Sequence, residues 1–373
     1  MSNFLLSKNN ITNKNIKFKL NDNISSLNTS ILGYYLNYYN EINNLLLHNS
    51  NTNFYNYENV IKIMNPYEYI YSNIPGTKYS VSKLKTKSLL FYDLIEINNS
   101  LDLFDYAFYK NKKLDILNIS PKSEELNYYF EMMIENRFDI SSYSDINSET
   151  FKLINNKYDF IYFEEIINSD NNVISYINSI IKALLLILNY QSNKGISLIK
   201  IDNLFYKPII EVLYLFSSFF EKVCIIKPNT SNPISSEKYI LCKNFVTNKA
   251  TIIDNKITET FFFEYLSDPA AVNNKVITSI IDKEIPCYFL NKIYDLNSIL
   301  VQQQLETMEQ LINFLKTKNK DDKLQLLKKN NIQKSILWCE KFKIPYNKFT
   351  DKTNIFLPIL KNDDSTIEEN IEE

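Results

Sequence analysis

The sequence predicts an α/β protein in which a mostly parallel sheet carries helices on both faces. Short apolar segments of strand length alternate with longer amphipathic segments between residues 76 and 250, and this alternation favours parallel pairing. The chain has 373 residues, of which 45% are hydrophobic and 14% aromatic, so it can bury a large core. We expect an N-terminal extension at 1–75 and a mainly helical region at 251–373, with an acidic tail from about residue 362.

The spacing of apolar residues assigns the elements in order. Strands are predicted at 113–119, 157–166, 195–201, 222–228 and 237–245. Helices are predicted near 34–48 and at 123–136, 173–190 and 205–220. The stretch 301–345 has apolar residues at helical spacing, in two or three segments broken near KNKDD and KKNN. In parallel sheets of this kind, functional side chains lie at the carboxyl ends of the strands.

Composition limits the function classes. A net charge of −2 gives no global attraction to nucleic acid, so RNA contact would need a local patch. We expect no membrane association, because no apolar run approaches the roughly 18 residues that span a bilayer, and the start MSNFLLSKNN does not resemble a signal peptide. His48 is the only histidine, which excludes a multi-histidine metal site. Four cysteines without CxxC spacing predict reduced thiols in an intracellular, cytoplasmic protein: Cys224, Cys242, Cys287 and Cys339.

Three segments of the central region follow one another in a recognisable order. They are YDFIYFEE at 158–165, GISLIKI at 195–201 and KPNTSNPISSEKYILC at 227–242. This set resembles the FtsJ-like RNA 2′-O-ribose methyltransferases, a family that includes cap methyltransferases of large DNA viruses. The family has a YDLI strand ending near an Asp, a GGxxxxK strand and a KPxxSRxxSSExY segment. The resemblance covers about residues 80–245 and implies a Rossmann-like methyltransferase fold.

The resemblance also implies a catalytic tetrad in the order Lys, Asp, Lys, Glu. Lys200 matches the central lysine and Glu237 the final glutamate, while the aspartate position falls on Glu164. The first lysine precedes Leu-x-Glu-Ile on an early helix, and the stretch SLLFYDLIEI at 88–97 places Asp93 there. The tetrad is therefore interpreted as degenerate.

Charge makes the replaced lysine important. A lysine beside a 2′-hydroxyl stabilises the developing oxyanion. Two lysines and two carboxylates sum to zero, whereas one lysine and three carboxylates sum to −2, and the extra negative charge raises the pKa of the hydroxyl. An alternative stays open, since Lys85 or Lys87 in SKLKTKS could supply the missing charge.

The turn after the first central strand lacks the glycines of the family pattern acid-x-PGG-F, which binds S-adenosylmethionine. The turn reads SPKSEEL, so the cofactor positions fall on Ser120, Pro121 and Ser123, with Lys122 and Glu124 beside them. Two acids are candidates for the ribose hydroxyls: Asp139 and Asp145. We therefore expect no cofactor, or S-adenosylmethionine if the protein is active.

A lysine-rich segment, TKYSVSKLKTKS at 77–88, precedes the early helix. Lysines interleaved with an aromatic residue can follow a phosphate backbone. This pattern predicts RNA contact through Lys83, Lys85 and Lys87, next to Tyr79. A solvated helix start is the alternative interpretation.

Three hypotheses for function follow. The leading one is a degenerate methyltransferase-fold protein that has lost catalysis and serves as a subunit of an RNA-processing or virion complex. Viral relatives that partner poly(A) polymerase suggest this setting by analogy. The second is an active S-adenosylmethionine-dependent RNA (cap) 2′-O-methyltransferase. The third is a structural or assembly protein of a virion.

Overall fold

The computed structural model describes residues 1–9, 16–49, 62–86, 88–104, 113–121, 123–134, 137–165, 173–246, 255–267, 275–316 and 321–347. The strands are β1 Ser2–Leu5, β2 Ile16–Asn21, β3 Leu114–Ile119, β4 Phe138–Tyr143, β5 Tyr158–Phe163, β6 Gln191–Ile201, β7 Phe220–Lys227, β8 Lys238–Phe245 and β9 Val276–Ile281. The helices are α1 Thr29–Asn49, α2 Leu90–Leu101, α3 Ser123–Ile134, α4 Ser148–Leu153, α5 Val173–Tyr190, α6 Lys207–Phe219, α7 Asn255–Ser267, α8 Cys287–Lys316 and α9 Asp321–Lys341.

Seven strands form one mixed sheet in the order β1-β7-β8-β6-β5-β3-β4. The strands β4, β3, β5 and β6 pair in parallel, as the alternation of strands and helices predicts. Strand β8 runs antiparallel to both β6 and β7, because the loop at 228–237 joins β7 and β8 without a crossover helix. The predicted Rossmann-like fold is thus confirmed, with an antiparallel strand beside the parallel core.

Alternate residues of each central strand enter two different cores. Leu117 and Ile161 face a core formed with α5 and α6, whereas Ile116 and Phe160 face a core formed with α2, α3 and α9. This period of two places apolar residues on both faces, so the strands read as continuous apolar runs. Helices cover both faces of the sheet, as predicted.

The terminal regions contribute to the fold in ways that the sequence pattern did not indicate. Strand β1 forms one edge of the large sheet by pairing with β7, and β2 pairs with β9 in a separate two-stranded sheet. Helix α1 packs against α8. The domain limits at 75 and 250 stay predictions, and the acidic tail from about 362 lies outside the described residues.

Two details differ from the sequence expectations. Helix α9 runs through KKNN without a break, and within it Asn331 is buried and donates a hydrogen bond to the carbonyl of Ile63. Helix α5 is long and apolar enough, by length and composition, to cross a bilayer, although no run of that length was expected. One such helix among the described residues is weak support for a membrane span, since 61% of it is buried in the core.

Candidate active site

Lys200, near the carboxyl end of β6, is held by two carboxylates. Its Nζ lies 3.0 Å from Oε1 of Glu164 and 3.2 Å from Oε2 of Glu237. Glu164 directly follows β5, the parallel neighbour of β6, and its N–H donates to the carbonyl of Ile119. Glu237 directly precedes β8, whose antiparallel pairing puts its first residue beside the last residue of β6. Three predicted site residues, carried by or next to three different strands, therefore meet at the carboxyl ends of β5 and β6.

The surroundings fix the protonation of Lys200. Burial lowers the pKa of its ammonium, but the charges of Glu237 and Glu164 outweigh burial, and the net pKa lies above the ordinary value. The Tyr162 hydroxyl also donates to Glu164, at 2.8 Å. Lys200 is therefore a positive hydrogen-bond donor in neutral solution, and not a general base. A donor of this kind can stabilise an oxyanion.

Asp93 lies in the first turn of α2 and is 5% exposed. The Tyr239 hydroxyl donates to its Oδ2 at 2.9 Å, and the Thr230 hydroxyl donates to its Oδ1. Burial raises the pKa of Asp93 to about 7, although the bonds from Thr230 and Tyr239 and the charge of Lys200 act in the opposite direction. A buried carboxyl group thus occupies the position to which the resemblance assigns a lysine.

A second buried acid on α2 was missed by sequence reasoning. Glu96 is 1% exposed, and one of its oxygens accepts the backbone N–H groups of Asn229, at 3.0 Å, and Thr230, at 3.3 Å. The indole N–H of Trp338 lies 3.5 Å from the same oxygen. Two acids three residues apart inside the otherwise apolar stretch LFYDLIEI at 90–97 were the available signal. Together Asp93 and Glu96 anchor the start of the loop between β7 and β8.

The turn after β3 is closed by neighbouring backbone. Ser120 is 1% exposed, and its N–H donates to the carbonyl of Tyr143 at 3.0 Å. Pro121 is exposed, and α3 begins at Ser123 with Glu124 and Glu125 in its first turn. Lys122 and the side chain of Ser123 lie outside the described residues.

Comparison with known proteins gives a family match to part of the chain. Residues 111–245 match the FtsJ-like methyltransferase family. This segment is an FtsJ-like methyltransferase domain. It contains β3 to β8 and three of the four predicted tetrad residues, whereas Asp93 precedes it. The place of Asp93 in the tetrad therefore stays a prediction.

Individual proteins match parts of the chain. An uncharacterized protein of Acanthamoeba polyphaga mimivirus is 24% identical over 230 residues, which are 61% of this chain and 58% of that protein. A cap-specific mRNA (nucleoside-2′-O-)-methyltransferase 1 of Dictyostelium discoideum is 32% identical over 108 residues, which are 29% of this chain and 13% of that protein. The matches thus span less than two thirds of either relative. A crystal structure titled as a ribosomal RNA methyltransferase of Plasmodium falciparum has 16% identity and a TM-score of 0.33, and the match covers 43% of this chain and 98% of that one.

An FtsJ-like domain implies S-adenosylmethionine if it is active, and the turn after β3 is a poor fit for that molecule. The methionine carboxylate would approach the start of α3, where Glu124 and Glu125 oppose the attraction of helix N–H groups for an anion. The buried Ser120 N–H is already bonded to β4. One feature favours a polar ligand: Oδ1 of buried Asn118 accepts no hydrogen bond within the described residues.

The two candidate ribose-binding acids lie at opposite ends of β4. Asp139 is near the amino end and forms an exposed ion pair with Lys113, so it lies away from the site. Asp145 follows the carboxyl end, where its Oδ1 is 3.6 Å from the ammonium of Lys182, which also pairs with Glu165 at 2.5 Å. Burial raises the pKa of Asp145, but the charge of Lys182 and the hydrogen bonds with Glu165, Ile146 and Lys182 together outweigh burial, and the net pKa is lowered. Asp145 has the right place, but a lysine already engages it.

The lysine-rich segment is largely exposed. Lys78, Lys83 and Lys85 are exposed, and Tyr79 is 65% exposed. Helix α2 begins only at Leu90, so the segment is a loop and not the helix start of the alternative interpretation. Lys87 lies outside the described residues. That Lys87 could supply the missing positive charge of the tetrad therefore stays a prediction.

A metal centre has no support in the described part of the chain. No group of three or more His, Cys, Asp or Glu residues there could hold a metal ion. The cysteines are free thiols, and three of them are buried: Cys224, Cys242 and Cys339.

Proposed function

We propose that this protein is an FtsJ-like methyltransferase-fold subunit that binds RNA without transferring a methyl group, within an RNA-processing or virion-associated complex. The observation that carries the proposal is the buried Asp93 on the α2 side of the Lys200 cluster. The free thiols are consistent with the intracellular, cytoplasmic setting that is part of the proposal.

The charge around Lys200 opposes methyl transfer. A 2′-hydroxyl must lose its proton as it attacks, so its oxygen gains negative charge beside the ammonium. Glu164 and Glu237 neutralise that ammonium, and any ionised fraction of Asp93 adds negative charge. In the family pattern a second lysine offsets one of these carboxylates. The expected consequence is that the pKa of the 2′-hydroxyl is raised and the barrier to methyl transfer is higher.

RNA binding is supported by a different set of residues. The exposed lysines at 78, 83 and 85 flank the exposed ring of Tyr79, which can stack on a base. The name of the Dictyostelium discoideum relative refers to mRNA. Both points favour RNA over a small-molecule substrate.

Calorimetry with S-adenosylmethionine tests the loss of the cofactor. We expect no measurable heat of binding, and S-adenosylhomocysteine should behave in the same way because it has the same carboxylate. Micromolar binding of either molecule would overturn the proposal. The purified full chain is the sample, so that every residue able to complete the site is present.

RNA binding is tested by neutralising the lysine-rich segment. The triple variant Lys78→Gln, Lys83→Gln, Lys85→Gln should reduce the slope of log affinity against log salt by about 2 for a single-stranded RNA. The control changes three exposed lysines of the C-terminal helices to Gln: Lys292, Lys323 and Lys334. Equal slopes for the two triple variants would contradict this part of the proposal.

An active RNA 2′-O-methyltransferase is the second candidate, because Lys200 keeps both of its carboxylate partners. It predicts methyl incorporation into capped RNA that Lys200→Ala abolishes. Absence of incorporation by the unmodified chain, with S-adenosylmethionine in excess, would remove this candidate.

A further inference from the structure

A cavity of about 200 Å³ lies beside the site, between the loop that joins β7 to β8 and the middle of α8. Lys227 and Lys238, the residues on either side of that loop, line it together with Gln303 and Thr307 of α8. Pockets for drug-sized ligands are larger, at about 300 to 1,000 Å³. The volume therefore fits a small group or one end of a larger ligand.

Lys227 holds the shape of this loop. Its ammonium donates to three backbone carbonyls, of Asn232 at 3.1 Å, Ser235, and Glu237 at 2.8 Å. These bonds use all three protons of the ammonium and leave its positive charge facing carbonyl dipoles. The wall of the cavity is thus preformed around the amino group of Lys227.

Lys238 has spare donor capacity. Within the described residues its ammonium donates to two carbonyls, of Asp202 and Ser236, which leaves one of its three protons. Lys238 is 5% exposed. A buried donor with a positive charge is the strongest kind of hydrogen-bonding partner for an anion.

The charges of the cavity favour an anion over a cation. The described lining residues include the two lysines and no Asp or Glu. Burial lowers the pKa of Lys227 to about 7 and that of Lys238 to about 8, since the nearby charges of Asp202 and Glu237 only partly compensate. Glu237 is itself paired with Lys200. A bound anion would supply the missing counter-charge and favour the protonated lysines.

Neutral groups complete the lining. Asn229, Ser231 and Gln303 offer hydroxyl and amide donors of the kind that bind phosphate oxygens, while Leu300 and Val301 provide an apolar wall. We propose that this cavity binds a phosphoryl group, carried either by the end of an RNA or by a free phosphate compound. The proposal does not depend on whether methyl transfer survives, because none of these residues belongs to the predicted tetrad.

Fluorescence polarisation with a short RNA tests the cavity. The probe is a 3′-labelled hexanucleotide, prepared with a 5′-phosphate and with a 5′-hydroxyl. If RNA supplies the phosphoryl group, the 5′-phosphate should strengthen binding by at least about fivefold, and inorganic phosphate should compete.

Two variants of α8 provide the matched comparison. Gln303→Glu adds a carboxylate to the cavity and should abolish both the preference for the 5′-phosphate and the competition by phosphate. Gln310→Glu makes the same change at an exposed position outside the lining and should leave both unchanged. Both changes lie within about one helical turn of Glu306, so local repulsion is similar.

The outcomes separate the two sources. A free phosphate compound is the ligand if the 5′-phosphate does not strengthen RNA binding but about 20 mM phosphate raises the melting temperature. In that case the rise should be lost in Gln303→Glu and kept in Gln310→Glu. If neither phosphate nor the 5′-phosphate has an effect, or if Gln303→Glu behaves as Gln310→Glu does, the proposal is wrong.

Discussion

The free energy of unfolding of Asp93→Asn, measured relative to that of the unmodified chain, should be higher in neutral solution than in acid. The folded protein raises the pKa of Asp93 from 3.8 to about 7, chiefly by burial. The native state therefore holds a proton that the unfolded state has already lost, and stability falls as pH rises from about 4 to about 7. Asn cannot ionise, but its oxygen can still accept a hydrogen bond from Tyr239 or Thr230.

The size of the effect follows from the linkage between pKa and stability. A pKa difference of one corresponds to about 1.4 kcal/mol, so the raised pKa of Asp93 lowers the free energy of unfolding by about 2 kcal/mol at pH 5 and about 4 kcal/mol at pH 8. The stability of Asp93→Asn relative to the unmodified chain should thus increase by about 2 kcal/mol between these two values. These figures are upper bounds, because water or local rearrangement around the ionised group would reduce them.

Urea unfolding followed by the fluorescence of Trp338, the only tryptophan, measures this difference. The control is Asp102→Asn, at the exposed end of the same helix, where the left-handed backbone suits Asn as well as Asp. The control should show no change between pH 5 and pH 8. If Asp93→Asn and the unmodified chain differ by the same amount at both pH values, burial does not raise the pKa of Asp93, and the linkage prediction is wrong.

Three further predictions concern stability. Lys200→Met leaves the carboxylates of Glu164 and Glu237 without their ammonium partner and should lower the free energy of unfolding in urea by about 3 to 5 kcal/mol. Adding Glu164→Gln should partly reverse this loss, and no loss on Lys200→Met would mean that the ion pairs are not formed. Trp338→Ala removes a buried ring whose centroid lies 4.5 Å from that of Phe342, and should lower the free energy of unfolding by about 3 to 5 kcal/mol. Leu337→Ala, at a side chain that is 54% exposed, should lower it by under about 0.5 kcal/mol. Equal losses would show that α9 is not packed on the sheet. Gly195→Ala should lower the melting temperature, because the new Cβ would lie 2.9 Å from the carbonyl oxygen of Ser192 and 3.0 Å from that of Asp159. Gly33→Ala should raise the melting temperature, because Gly33 has open space around it in α1. A melting temperature unchanged by Gly195→Ala would contradict the close strand packing at β6.

Local sequence patterns were sufficient to predict the central elements. The apolar helix at 173–190 was predicted with its observed limits, and the predicted strands 113–119 and 237–245 agree with β3 and β8 within one residue. Buried strands and helices of a doubly covered sheet have strong apolar patterns, because both faces exclude water. The start of β6 was missed by four residues, since Gln191 and Ser192 are polar and their hydrogen bonds to Tyr158 and Asp159 are long-range.

The short strands near the termini were not predictable in the same way. Strand β1 has four residues, and its partner β7 lies more than two hundred residues later in the chain. Strands β2 and β9 are similarly far apart. A short strand acquires its conformation from hydrogen bonds to a distant partner, and a window of local sequence contains no information about that partner.

The sequence by itself determined the fold class, the FtsJ-like segment order and the identity of Lys200, Glu164 and Glu237, because each of these is a property of residue type and spacing along the chain. Only the tertiary structure decided that Lys200 contacts both carboxylates, that Asp93 and Glu96 are buried, and that Lys227 and Lys238 border a cavity without acidic residues in its described lining. The physical reason is that charge interactions and burial depend on distances in space, and the sheet brings together groups that are separated by tens of residues in sequence.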